Sequence, residues 1–116
     1  MPADQDRDLA ALLDAAEAAR DALEFVGDMD RATFLRDRKT QAAVQHKLLV
    51  IGEAVKRVSS STRDRDPKIA WRAIAGTRDR LIHGYDSVDL DAVWLMVERD
   101  LPRFLVQVET LLPPRP

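Results

Sequence analysis

The chain has 116 residues, 18 Lys+Arg against 20 Asp+Glu for a net charge of −2, no cysteine, and 46% hydrophobic but only 5% aromatic residues. That length is one domain's worth, and the missing cysteines exclude a disulfide framework, a thiolate metal site and a cysteine nucleophile. No apolar run approaches the roughly 20 residues of a membrane span, and the acidic N-terminus lacks the basic-then-apolar order of a signal peptide, so no membrane contact and a cytoplasmic location are expected.

Four glycines, six prolines and 33% charged residues are too few turn signals for a β-rich domain. The expected fold is all-α: an up-down bundle of four to five helices in one domain spanning 1–116, with a Pro-rich tail over about 113–116. A first helix is predicted from about Asp4 to Val26, where Leu9, Leu12, Leu13, Ala16, Ala19, Leu23 and Val26 recur at helical spacing. Asp4, Asp6 and Asp8 would sit near the positive end of its dipole, and Gly27 would end it. A long second helix is predicted from about Arg31 to Ser59. Its start is basic (Arg36, Arg38, Lys39) and its second half apolar, with Gly52 open to the close approach of a neighbouring helix. The run Ser59, Ser60, Ser61, Thr62 reads as a loop.

Asp66-Pro67 should open a third helix, interrupted at Gly76, with Thr77 able to cap a short segment through Arg78 to His83. Asp89 should start the last helix, its apolar positions stepping by three or four from Val93 to Leu112. Pro102 lies inside that pattern and should kink or break it, with Asp100 as a candidate new cap.

The net charge hides a strong asymmetry. Residues 1–30 carry nine acidic and two basic residues (−7), residues 31–80 thirteen basic and five acidic (+8), and residues 81–116 six acidic and three basic (−3). The basic centre is the kind of surface that attracts phosphate, although solvated helix faces would give the same pattern. Two histidines are available for proton transfer near neutral pH. His46, in mid-helix, reads as a surface or packing residue. His83 falls in Arg78-Asp79-Arg80-Leu81-Ile82-His83-Gly84-Tyr85-Asp86, a crowd of arginines, histidine and tyrosine beside a glycine. In one regular helix, five steps of about 100° would put Arg78 and His83 about 140° apart, so they converge if the helix tightens or ends near Gly84, or if two copies meet.

There is no Gly-rich phosphate loop, no His-Glu-X-X-His and no Gly-X-Ser-X-Gly. Neither a metal nor a cofactor is expected. Metal-free cleavage of a phosphodiester fits better, because it needs a group that titrates near pH 7 and a fixed positive charge for the phosphorane. RNA supplies its own nucleophile in the 2′-hydroxyl. A helix end merely decorated by Arg78, Arg80 and His83 would show the same spacing.

The stretch from Ile69 to Asp89 resembles the HepT-like branch of the HEPN superfamily. Ile51-Gly52-Glu53-Ala54-Val55 with Ser59, and Val93-Trp94 with Asp100-Leu101-Pro102, are similar to it too. The resemblance implies a homodimeric helical bundle with the Arg–X4–His motifs of both subunits facing one cleft. It implies a metal-independent endoribonuclease, with tRNA a candidate substrate, serving as toxin in a bacterial type VII-like toxin–antitoxin pair. Its partner would be a minimal nucleotidyltransferase antitoxin of the MNT type. Carried over by position, Arg78 and His83 are the catalytic pair and Tyr85 is the tyrosine that the partner adenylylates. Asp79 would orient Arg78 or His83, and Arg80, Arg36, Arg38, Lys39 and Arg72 would support RNA binding. The alternative is a non-catalytic helical dimer that binds a nucleotidyltransferase or a nucleotide.

Overall fold

A computed structural model describes residues 2–83 and 87–114, with side chains described for 5–82 and 87–114. The fold is all-α apart from one minimal strand pair. Its longest helix, α1 (Pro2–Val26), lies along α3 (Arg38–Lys56) and against α8 (Leu101–Glu109). Small residues let α1 come close: Ala15, Ala16, Ala19 and Ala22 are completely buried. The face differs from the predicted one by a partial turn, for Leu13 points outward at 40% exposure while the alanines fill the core. Gly27, at φ +54°, ends α1 in the left-handed region that glycine adopts without penalty.

The predicted second helix is two elements. Asp30 caps α2 (Arg31–Phe34) by accepting from the Thr33 N–H, and Asp37 caps α3 by accepting from the Thr40 N–H. Both carboxyls are held below their ordinary pKa by those backbone donors. The break between them is sealed by Gln41, buried, whose Nε2 donates to the Phe34 carbonyl at 2.9 Å. Residues 59–62 are not a loop. Ser59 is the cap of a further helix, α4 (Ser60–Arg65), and α3 has already ended at Lys56.

Asp8 holds this corner. It is 5% exposed, and its carboxylate accepts from the Ser59 N–H at 2.8 Å, the Ser59 hydroxyl at 2.5 Å and the Thr62 hydroxyl at 2.5 Å. Burial alone would raise its pKa. The hydroxyl donors of Ser59 and Thr62, the Ser59 N–H and the charge of Arg65 outweigh burial and hold it below the ordinary value. Asp8 is therefore a cap for α4 supplied from 51 residues away, not a dipole partner of its own helix. Asp8→Ala removes three bonds to a charged acceptor and strands buried donors, and is expected to destabilise by about 3 kcal/mol. Because the folded pKa is depressed, the Asp8 contribution is present above the unfolded carboxylate range and lost as pH falls through the folded value. Thermal melts between pH 7 and pH 3 should show a flatter acid limb for Asp8→Ala than for wild type; parallel curves would refute this role.

Asp66 closes α4 instead of opening a helix, and α5 (Trp71–Ala75) begins later, positioned by the Trp71 Nε1–H bond to the Asp66 carbonyl at 3.0 Å. Gly76 is both the end of α5 and the cap of α6 (Thr77–Leu81). Thr77 is thus inside the helix; its fully buried hydroxyl donates to the Ile74 carbonyl at 2.5 Å. Gly52 allows this junction to nest on α3, since a Cβ there would stand 3.3 Å from the Ile74 oxygen and 3.5 Å from the Thr77 Cβ.

The last helix is one continuous rod in three parts: α7 (Leu90–Leu95), capped by Asp89, a π-helical segment (Met96–Asp100), and α8. The wider π turn precedes Pro102, which has no N–H to donate, so the rod continues where an α-helix would break. Asp100 makes no capping bond. The expected four to five helices are therefore cut into more and shorter segments. Phe34 and Trp94 stack at 5.4 Å between ring centroids, joining α2 to α7, and Arg31 and Asp91 form an ion pair across the same contact. Among the described residues no helix is long and apolar enough to cross a membrane.

Candidate functional site

The sequence led to one segment, Arg78 to Asp86, and the structure changes its geometry. The predicted helix through His83 stops at Leu81. Ile82 is already extended (φ −103°, ψ 119°), and Ile82–His83 (β1) pair antiparallel with Ser87–Val88 (β2), Ile82 opposite Val88 and His83 opposite Ser87. β-Branched Ile82 and Val88 suit such a cross-strand pair. The Asp89 N–H then donates to the Leu81 carbonyl at 2.8 Å, satisfying an acceptor that the end of α6 leaves open. The 140° separation of Arg78 and His83 on a regular helix therefore does not apply, because the chain leaves the helix two residues before His83. The His83 side chain and all of Tyr85 lie outside the described residues.

Arg78, Asp79 and Arg80 are all exposed on α6. The segment is held from beneath: Thr77 and Leu81 are buried, 0% and 2% exposed, and flank the three polar residues. Arg78 and Asp79 line an open depression of about 550 Å³ with Ala75, Gly76 and Lys56. Among the described residues Arg78 has no ion-pair partner, whereas Arg80 is paired with Asp100 at 3.2 Å. An exposed, unpaired guanidinium on an anchored helix is available to an anionic ligand. Among the described residues Asp79 makes no hydrogen bond to Arg78, and the side chain of its other expected partner, His83, lies outside them.

The other expected cations are spread out. Arg72 is exposed on α5, and Arg36, Arg38 and Lys39 are exposed around the start of α3. The residue that joins Arg78 is Lys56, at the opposite end of α3, about 26 Å from Lys39 along the axis at 1.5 Å per residue. Sequence reasoning passed over Lys56, although a signal existed. Lys56 stands one helical turn after Gly52 and therefore on the face that meets the α5–α6 junction.

Comparison with known proteins decides the family. The model of the family described as Ribonuclease HepT-like matches residues 15–111, a stretch that includes α6, the strand pair and the π-broken helix. The chain belongs to the HepT-like ribonuclease family. It is 40% identical over 100 residues to the probable ribonuclease HepT of Thermococcus cleftensis, covering 86% of this chain and 91% of the relative. It is 36% identical over 103 residues to a candidate RNase of Methanocaldococcus jannaschii, MJ0127, covering 89% of this chain and 85% of that one. A second candidate RNase of the same organism, MJ1380, is 35% identical over 104 residues, covering 89% and 95%. No solved structure matches the chain. HepT-like membership accords with an all-α fold and with ribonuclease activity as the family's chemistry.

Proposed function

We propose that the protein is a metal-independent endoribonuclease in which Arg78 and His83 act on one phosphodiester, and that it is the toxin of a toxin–antitoxin pair. The observation that carries the proposal is the Arg78–X4–His83 spacing, with Arg78 exposed and, among the described residues, unpaired on an anchored helix, in a chain of the HepT-like ribonuclease family. The chemistry needs little else. The 2′-oxygen forms a new bond to phosphorus as the bond to the 5′-oxygen breaks; the imidazole of His83 accepts the 2′-hydroxyl proton, and a proton returns to the departing 5′-oxygen. Arg78 stabilises the charge that gathers on the phosphorane oxygens, with Lys56 contributing to the same positive field. The products are a 2′,3′-cyclic phosphate and a 5′-hydroxyl, with tRNA a candidate substrate.

In this proposal the protein works as a cytoplasmic homodimer, with two motifs sharing a cleft, and its partner is a minimal nucleotidyltransferase that silences it by adenylylating Tyr85. Purified protein in the presence of EDTA should cut RNA to products with 2′,3′-cyclic phosphate and 5′-hydroxyl ends, and light scattering should give twice the chain mass at micromolar concentration. Binding without cutting would favour the non-catalytic helical dimer, and 3′-hydroxyl ends would exclude attack by the 2′-oxygen.

A further inference from the structure

Two grooves of the surface differ sharply in charge. The larger, of about 760 Å³ between α1 and the end of α8, is lined by Glu17, Asp21, Glu24 and Glu109 against a single cation, Arg20, which is already paired with Glu109 at 3.1 Å. It repels phosphate. A second groove, of about 310 Å³, runs between α5–α6 and α8, and is lined by Lys68, Arg80 and Arg103 against the one carboxylate Asp100. Asp100, Arg103 and Gln107 follow one another at three- and four-residue steps and so share one face of the last helix. The Gln107 amide reaches the Lys68 carbonyl at 3.4 Å across the groove. The π-helical segment ends at Asp100, so the rod resumes its α-helical course at the groove.

Arg80 and Arg78 are two residues apart on α6, about 200° around its axis, and so face opposite flanks of the helix. Arg78 faces the depression with Lys56, and Arg80 faces the second groove. The Arg80–Asp100 pair is open to water, its side chains 40% and 42% exposed, and an exposed pair of this kind is held weakly enough for a stronger anion to displace it. Resting on the ribonuclease function proposed above, we propose that this second groove is a binding site for the phosphates of the RNA strand flanking the cut. Arg103 and Lys68 contact the backbone, and Arg80 exchanges Asp100 for a phosphate as the strand binds. Asp100 is thus a built-in counter-ion that weakens RNA binding.

The test uses the full chain and a fluorescent 2′-O-methyl oligoribonucleotide, which lacks the free 2′-hydroxyl and cannot be cut, with anisotropy read over a series of salt concentrations. Arg103→Gln and Lys68→Gln should each weaken binding about three- to tenfold at low salt and flatten the log–log salt dependence by about 0.7. Asp100→Asn should tighten binding several-fold and steepen the slope, a gain that misfolding cannot produce. Excess AMP should not displace the oligonucleotide. The proposal is overturned by a double Arg103→Gln, Lys68→Gln variant that melts like wild type and binds with unchanged affinity and slope, by weaker binding of Asp100→Asn, or by displacement with AMP at comparable concentration. Cleavage of unmodified RNA separates the two proposals: groove-dependent binding without cleavage refutes the ribonuclease alone, and cleavage with groove-independent binding refutes the groove alone.

Discussion

Replacing Arg78 by alanine is expected to lower the rate of RNA cleavage by about 10²–10³-fold, the usual loss when one fixed donor to a developing oxyanion is removed. His83→Ala should lose about 10²–10⁴-fold through the missing proton transfer. The two losses should not add, because each group stabilises the same transition state, so the double variant should be little worse than His83→Ala. Arg78→Lys should recover only part of the rate: an ammonium keeps the charge but not the planar fork that meets two phosphoryl oxygens at once. The melting temperature separates this role from a structural one. Arg78 is exposed and unpaired among the described residues, so its truncation opens no cavity and strands no buried partner. Arg78→Ala should therefore melt within a degree or two of wild type, whereas Asp8→Ala, which is far from Arg78 in sequence, should fall by roughly 10 °C for the ~3 kcal/mol it costs. Cleavage at wild-type rate by purified, EDTA-treated Arg78→Ala protein would remove Arg78 from the mechanism.

The all-α class and a few helix ends were legible because they rest on local rules. Gly27 needs a left-handed φ, and Asp89 accepts from the Ala92 N–H three residues on, as a cap should. The errors fall where a distant partner overrides the local signal. Ser59 to Thr62 looks like a polar loop until Asp8 supplies the acceptors that make it a helix start. Asp66-Pro67 looks like a helix start, yet the Asp66 carbonyl is taken by Trp71 Nε1–H and the helix begins at Trp71. Pro102 was expected to break the last helix, and a preceding π turn absorbs it. At the site, the types and spacing of Arg78 and His83 were readable, but the helix was expected to run through His83. What could not be read was that α6 ends at Leu81 in a strand pair, because two-residue strands carry too little periodicity to register. The neighbourhood of Lys56 and the groove beside Arg80 depend on how α3 and α8 pack against α5–α6, which no local rule contains.

Co-expression with the proposed nucleotidyltransferase partner is expected to add one or more AMP units to the wild-type protein and none to Tyr85→Phe, which should retain the proposed toxicity. The chain itself limits how far apart the groups can be. In the sequence Tyr85 stands two residues after His83 and five after Arg80. His83 and Tyr85 both come shortly after α6 in the sequence, where Arg78 and Arg80 are exposed. An AMP on the Tyr85 hydroxyl would carry a phosphodiester with one negative charge into this basic neighbourhood. Tethered there, it meets the guanidinium groups at an effective concentration in the millimolar range or above, and competes with the substrate phosphate without dissociating. Its adenosine would also occupy space that an RNA strand needs. Silencing should therefore act on binding: modified protein should bind the uncleavable oligonucleotide at least tenfold more weakly than unmodified protein, with a shallower salt dependence because fewer cations remain to be paired. The Arg78→Ala, Arg80→Ala double variant isolates the electrostatic part, since modification should weaken its residual binding less than it weakens that of the wild type. A tyrosine that only packs against the bundle predicts the opposite on each count. An unmodified wild-type mass after co-expression with an active partner, or equal silencing of Tyr85→Phe, would leave Tyr85 with that structural role alone.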